Sequence, residues 1–310
     1  MERLLILGSG PAGLTAGIYA ARAALNPKIA DGPLPGGLLV QTGSVENFPG
    51  FPDGVDGFEL TDRMRCQAER SGARLLNTQA VDVCFSRAET GGHRVKFADG
   101  SVLECRDLIV ATGSSPRWLG LESEKRLRNK GVSACARCDG PLYRGMTVCV
   151  AGGGDTALDE ALFLAGFTKE VHLIHRRDQF RASQIMADRV RAESKIRLHL
   201  SCTVEEILGS EKVEGVRIRH ADGSMESIPC NAFFAALGYD PNTALFRDSL
   251  EMNPGGYIRT FDGTARTSVP HVFAAGDCAD PVYQQAVTAA ASGCRAVLDC
   301  LNGSDGNRTL

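Results

Sequence analysis

Leu4-Leu5-Ile6-Leu7 is a short unbroken apolar run that stops at Gly8, and the Ala-rich stretch after Gly13 carries Leu14, Ile18 and Tyr19 at helical spacing. Consecutive apolar residues fit a strand buried on both faces, whereas three-and-four spacing fits a helix with one buried face. The chain repeats this order. Met146 to Ala151 is strand-like, Gly152-Gly153-Gly154 follows, and Leu158, Leu162 and Ala165 mark a second helix. Strand, glycine turn and helix in succession begin a parallel crossover, so two copies predict an α/β fold of two doubly wound, Rossmann-like nucleotide-binding domains.

Between the copies lie a Gly/Pro-rich segment (residues 32–57), a helix predicted over Gly57 to Ser71, and an alternating strand-like stretch ending at Gly100. Asp107 to Ala111 and Phe233 to Leu237 read as buried strands, the first ending at Thr112-Gly113 and the second at Gly238 before Pro241-Asn242. They bracket the second glycine turn symmetrically. Read as crossings, they make residues 116–243 an insert between the two parts, 1–115 and 244–310, of a first domain. Asn302 to Leu310 reads as a frayed tail.

Composition removes several classes. The 310 residues are 43% hydrophobic and 23% charged, with a net charge of −3, which is ordinary for a globular chain of roughly two domains. Slight acidity argues against a nucleic-acid partner, which would call for clustered Lys and Arg. No apolar run approaches the roughly 20 residues of a membrane span, and the first is too short for a signal-peptide core. A soluble, cytoplasmic protein is expected. Eleven cysteines without an export signal are expected to be mostly reduced packing residues, Cys135 and Cys138 apart.

Gly8-Ser9-Gly10-Pro11-Ala12-Gly13 stands between a strand and a helix, the setting that a dinucleotide fingerprint requires. The first glycine allows the tight turn, the second lets a pyrophosphate approach, and the third lets helix pack on strand. Asp31, after strand-like Pro27 to Ala30, fits the acid that binds ribose hydroxyls. The second copy, Gly152-Gly153-Gly154-Asp155-Thr156-Ala157, ends in Ala, which is small enough. After its next strand-like run, Val171 to Ile174, comes His175-Arg176-Arg177, with Arg181 beyond. Cations at the ribose-reading position match a 2′-phosphate, which predicts NADPH over NADH.

Cys135-Ala136-Arg137-Cys138-Asp139-Gly140 admits three readings. Structural zinc needs four ligands, and no second pair of suitable spacing occurs. A coincidental buried pair remains open. In the redox reading the short loop lets the sulfurs bond, Arg137 favours thiolate, and Asp139 carries a proton for the leaving thiol.

Taken with Val45-Glu46-Asn47-Phe48-Pro49-Gly50, Ala111-Thr112-Gly113, Ser133-Ala134 ahead of the cysteine motif, and Phe273-Ala274-Ala275-Gly276-Asp277, these segments resemble the low-molecular-weight, bacterial-type thioredoxin reductases over nearly the whole chain. The resemblance implies that the first domain binds FAD, with Asn47 and Asp277 touching it and Gly36, Gly37, Gln284, Gln285 and Ala286 nearby. It implies that the insert binds NADPH and carries the redox pair, Cys138 beside the flavin and Cys135 attacking thioredoxin or a thioredoxin-like protein. A homodimer, and rotation of the insert about residues 113–117 and 241–245, are also implied.

Three positions depart from the family pattern. Leu38 replaces a Gln after Gly36-Gly37, Gln284 replaces an Arg, and Pro141-Leu142 replaces a pair of aromatics. The alternatives are relatives with other electron routes: a dithiol oxidase, or a ferredoxin- or flavin-dependent reductase, each disfavoured by the arginine cluster. A peroxide-reducing relative would carry an N-terminal thioredoxin-like arm, whereas Leu4 already begins the first strand. A non-catalytic redox sensor would need neither Asp139 nor a mobile insert.

Overall fold

The computed structural model describes residues 1–86, 88 and 92–304. The chain divides into two compact units, Met1–Ser115 with Asp240–Leu310, and Pro116–Tyr239.

In the first unit, parallel strands Arg74–Leu76, Lys28–Ala30, Glu2–Leu7 and Val102–Val110 lie side by side in that order. The alternation within Glu2–Leu7 explains its unbroken apolar run. Leu4 and Ile6 join the core under helices Pro11–Arg22, Gly57–Ser71 and Ala286–Ser304, while Leu5 and Leu7 join the core on the opposite face. Val102–Val110 begins antiparallel to His93–Phe97 and ends parallel to Val272–Ala274, which comes from the resumed part of the chain. The helix Gly57–Ser71 starts on the Asp56 carboxylate, which accepts from the Phe58 and Glu59 N–H groups, and stops at left-handed Gly72.

The second unit repeats the plan. Its five-stranded parallel sheet runs Val132–Ser133, Ala232–Ala235, Thr147–Ala151, Glu170–His175, Ile196–Leu200. Val148 and Val150 face helices Asp155–Ala165 and Gln184–Ala192. Cys149 and Ala151 instead face the antiparallel sheet of Thr203–Leu208, Gly215–Arg219 and Met225–Pro229.

Both crossing strands end earlier than their apolar runs, at Val110 and Ala235. In each case the next carbonyl crosses a glycine turn: a Cβ on Gly8 would stand 2.2 Å from the Ala111 oxygen, and one on Gly152 would stand 2.4 Å from the Ala236 oxygen. Residues 240–243 lie with the first unit. There Asn242 receives a hydrogen bond from Thr112 Oγ1 (2.8 Å), donates to the Thr112 oxygen (3.0 Å) and accepts from Ser115 Oγ (2.9 Å). The two chain crossings, Ser114–Pro116 and Tyr239–Pro241, pair with each other as a ribbon.

The last helix continues to Ser304, into the segment expected to fray, whose end at 305–310 lies outside the described residues. Packing does not account for all the remaining cysteines, because Cys66 and Cys84 are exposed. Among the described residues, no helix is long and apolar enough to cross a membrane.

Candidate functional site

The first glycine turn is built by close approach. Gly8 has φ +108°, and a Cβ on Gly13 would stand 1.8 Å from the Gly8 oxygen. Gly10, by contrast, has only Gly36 and Gly37 atoms at 3.9 Å from its Cβ position, and no side chain caps the helix that it starts. Free N–H groups in front of open space fit a pyrophosphate.

Buried Ser9 gathers the neighbouring positions, accepting from the Gly36 N–H (3.1 Å) and donating to the Asp31 carbonyl (3.4 Å). A Cβ on Gly37 would lie 3.1 Å from Gly10 Cα, and one on Gly276 would lie 2.9 Å from Ala12 Cβ, so the Gly36-Gly37 and Gly276-Asp277 turns adjoin the fingerprint. Asp31 is buried, but both its oxygens meet Arg65, at 3.2 and 3.4 Å. Arg65 escapes sequence reading because it stands within a helix among other surface charges.

Asp277 accepts from the Ser114 hydroxyl (3.3 Å), and burial pushes its carboxyl up to about 6. Asn47 donates to Gln285 Oε1 (3.3 Å), which joins two positions distant in sequence. Gln284, standing where the family has Arg, has φ +48° and donates to the Tyr257 hydroxyl (3.1 Å). Ala286 begins the last helix, and left-handed Gly113 follows Ala111 and Thr112 out of the long strand.

The second glycine turn has the same construction. A Cβ on Gly152 would meet Ala157 Cβ at 2.5 Å, whereas one on Gly154 would find open space. The helix starting there also has no side-chain cap. Asp155 beside it accepts from the N–H and hydroxyl of Ser183, both at 2.9 Å, which hold its carboxyl below the usual range. Thr156 is exposed and Ala157 buried.

His175 does not add to the cationic cluster as its neighbours do. Its ring occupies the space above Gly153 and meets the Gln179 carbonyl (3.1 Å), and burial lowers its pKa, so it shapes the turn as a neutral group. Arg181 reaches the same turn through its backbone N–H, which donates to the Gly153 oxygen at 2.7 Å. Arg176 and Arg177 are exposed and line an open cleft of about 600 Å³ together with Ser201, Thr203, Arg219 and His220. Cations around an open N-terminus fit a 2′-phosphorylated dinucleotide.

Cys135 and Cys138 form a disulfide, S–S 2.12 Å, across the start of the short helix Ala136–Asp139. Both sulfurs are thereby committed to each other and not to zinc. The Cys135 N–H donates to Ser133 Oγ (3.0 Å), the Cys138 N–H to Cys135 Sγ (3.2 Å), and the Asp139 N–H to the Cys135 carbonyl (3.1 Å). Burial raises the Asp139 carboxyl above its ordinary value against a bond from Ser133, which suits an acid that donates a proton. The Arg137 guanidinium pairs with Asp159 and lies 5.1 Å over the Phe163 ring, in a half-exposed position against the helix Asp155–Ala165.

The family model described as pyridine nucleotide-disulphide oxidoreductase matches residues 2–293. The chain is 44% identical over 303 residues to a thioredoxin reductase of Streptomyces coelicolor, covering 96% of this chain and 92% of that one. A thioredoxin reductase of Rickettsia conorii is 43% identical over 301 residues, covering 96% of each chain. Among solved structures, thioredoxin reductase from Giardia duodenalis matches with a TM-score of 0.92 at 38% identity, covering 97% of this chain and 98% of that one.

Proposed function

The chain belongs to the pyridine nucleotide-disulphide oxidoreductase family, and from that membership we propose that it is a thioredoxin-disulfide reductase, passing electrons from NADPH through FAD and Cys135–Cys138 to the disulfide of thioredoxin or a thioredoxin-like protein. The observation that carries the reading is the closed Cys135–Cys138 disulfide beside a half-buried carboxyl, in the same unit as the arginine-flanked glycine turn.

FAD, when bound, supplies the passage from a two-electron hydride to thiol chemistry. The turn from Gly8 to Gly13, Asp31, Gly36, Gly37, Asn47, the Ala111-Thr112-Gly113 segment, Asp277 and the Gln284-Gln285-Ala286 segment would hold it in the first unit. Gly152, Gly154, Asp155, Thr156 and Ala157, with Arg176, Arg177 and Arg181, would hold NADPH in the second.

Once the pair is reduced, the Cys135 thiolate attacks one sulfur of the partner disulfide, forming a mixed disulfide as the other partner sulfur leaves and takes a proton from Asp139. Cys138 then attacks Cys135 Sγ, the intramolecular bond re-forms and the second partner thiol is released. Two electrons have passed to the partner. The enzyme acts as a cytoplasmic homodimer in this reading. Exposed Tyr19, Val287 and Leu298 on the first unit support self-association, which sedimentation equilibrium would test.

Purified flavin-loaded protein should reduce an aromatic disulfide dye with NADPH only when thioredoxin is added. Cys138→Ser should abolish this turnover and leave bleaching of the flavin by NADPH intact. Turnover independent of NADPH, or normal turnover in the variant, refutes the reading.

A further inference from the structure

The helix Asp155–Ala165 serves the nucleotide turn at its start and grips the cysteine segment along its flank. Ala136 is buried in one cluster with Leu158 and Ala161, a Cβ on Gly140 would stand 2.8 Å from Leu164 Cδ2, and Arg137 is bound by Asp159 and Phe163. On this flank Glu160 is only 8% exposed. The backbone N–H of Ala136, the residue after Cys135, lies close enough to favour its ionised form, while Oε2 is buried with no hydrogen-bond partner among the described residues. A half-satisfied buried carboxylate destabilises a fold whenever it is ionised. Its place beside the segment that joins the two cysteines calls for a chemical reason.

Resting on the reading of Cys135–Cys138 as the redox centre, we infer that Glu160 is a positioning residue and proton store: it fixes the segment between the cysteines through the Ala136 N–H, takes up one proton as the disulfide is reduced, and returns it on reoxidation. The charges that face it are Arg137 from the cysteine segment, which favours the carboxylate, and Asp159 on its own helix, which opposes it. These two pair with each other, so burial prevails and pushes the carboxyl up to about 7, where the proton exchanges in neutral solution. Asp139, half-buried, is the other acid of the segment; in the proposed reaction it gives its proton to the first partner sulfur, the cysteine thiol proton goes to the second, and the proton leaving Glu160 on reoxidation restores Asp139.

With dithiothreitol as reductant, its two sulfurs close into a cyclic disulfide and its two electrons break the Cys135–Cys138 bond. Of the two protons released, one goes to a cysteine sulfur. The other goes to Glu160 when the second cysteine remains thiolate, because a new negative charge nearby favours the neutral acid.

The flavin-loaded protein can be titrated with mixtures of reduced and oxidised dithiothreitol across the neutral pH range, counting cysteine thiols by alkylation and mass. In the wild type the reduction equilibrium should acquire an additional fall of about tenfold per pH unit above the Glu160 transition. Glu160→Gln keeps an acceptor for the Ala136 N–H and should lose this segment while still titrating. In infrared difference spectra, reduction of the wild type should add a protonated-carboxyl band that Glu160→Gln lacks. An unchanged pH profile in the variant, or no such band in the wild type, overturns the proposal. A wild-type pair that fails to titrate at all overturns instead the redox reading beneath it.

Discussion

Burial of the Asp277 carboxyl, only partly relieved by the Ser114 hydroxyl, raises it from 3.8 to about 6. The folded chain therefore holds this proton more tightly than the unfolded chain, and the stability so gained is complete below the unfolded value and is lost as pH rises through the folded one. In flavin-free protein, Asp277→Asn should thus stabilise at alkaline pH by up to about 3 kcal/mol and make little difference in acid. Thermal unfolding at both extremes checks this, and an equal effect at both would remove the titration argument. At Arg176 and Arg177 each charge-assisted bond to a 2′-phosphate should contribute about 1.5–3 kcal/mol. The double alanine variant should raise the NADPH KM by orders of magnitude and leave the NADH KM nearly unchanged, as steady-state kinetics would show. The types and spacing of these arginines are legible in the sequence, because charge at a ribose-reading position is a local feature. The fate of Arg137 is not, since its partners Asp159 and Phe163 stand on a different helix.

The glycine turns separate two uses of a missing side chain. Gly152 is needed for packing, so Gly152→Ala should cost about 1–3 kcal/mol of stability from overlap with the Ala236 carbonyl and Ala157. Gly154 faces open space, so Gly154→Ala should keep the wild-type melting temperature and weaken NADPH alone. Comparing Tm with KM for the two variants tests the distinction. Both strand–turn–helix starts can be read from the sequence because glycine, small residues and apolar spacing lie within one short stretch. The early strand ends cannot, because they depend on the carbonyls of Ala111 and Ala236 passing over turns far away in the chain. Glu160 is hidden for a related reason. Asp159-Glu160 looks like a solvated helix face until the cysteine segment is seen to cover one of the two acids.

In the whole molecule, both connections to the inserted unit pass through the paired strands Ser114–Pro116 and Tyr239–Pro241. Their ends are neighbours, so replacing residues 117–238 with a short glycine linker should leave the first sheet complete. The product should be yellow and bind FAD without being reduced by NADPH, which absorbance spectra would establish. A colourless or insoluble product would show that the first unit depends on the insert for its stability.

The pairing of Leu108–Val110 with Val272–Ala274 also orders events in time. As the chain leaves the ribosome, every strand of the inserted sheet has been made before Val272 appears, while the first sheet still lacks a member. The later-encoded unit should therefore mature first, and the earlier one should wait with the long strand unpaired along one edge. Nascent chains arrested before Val272 should resist protease across the insert and remain sensitive in the first unit. The segment translated first is then the one most in need of protection during synthesis.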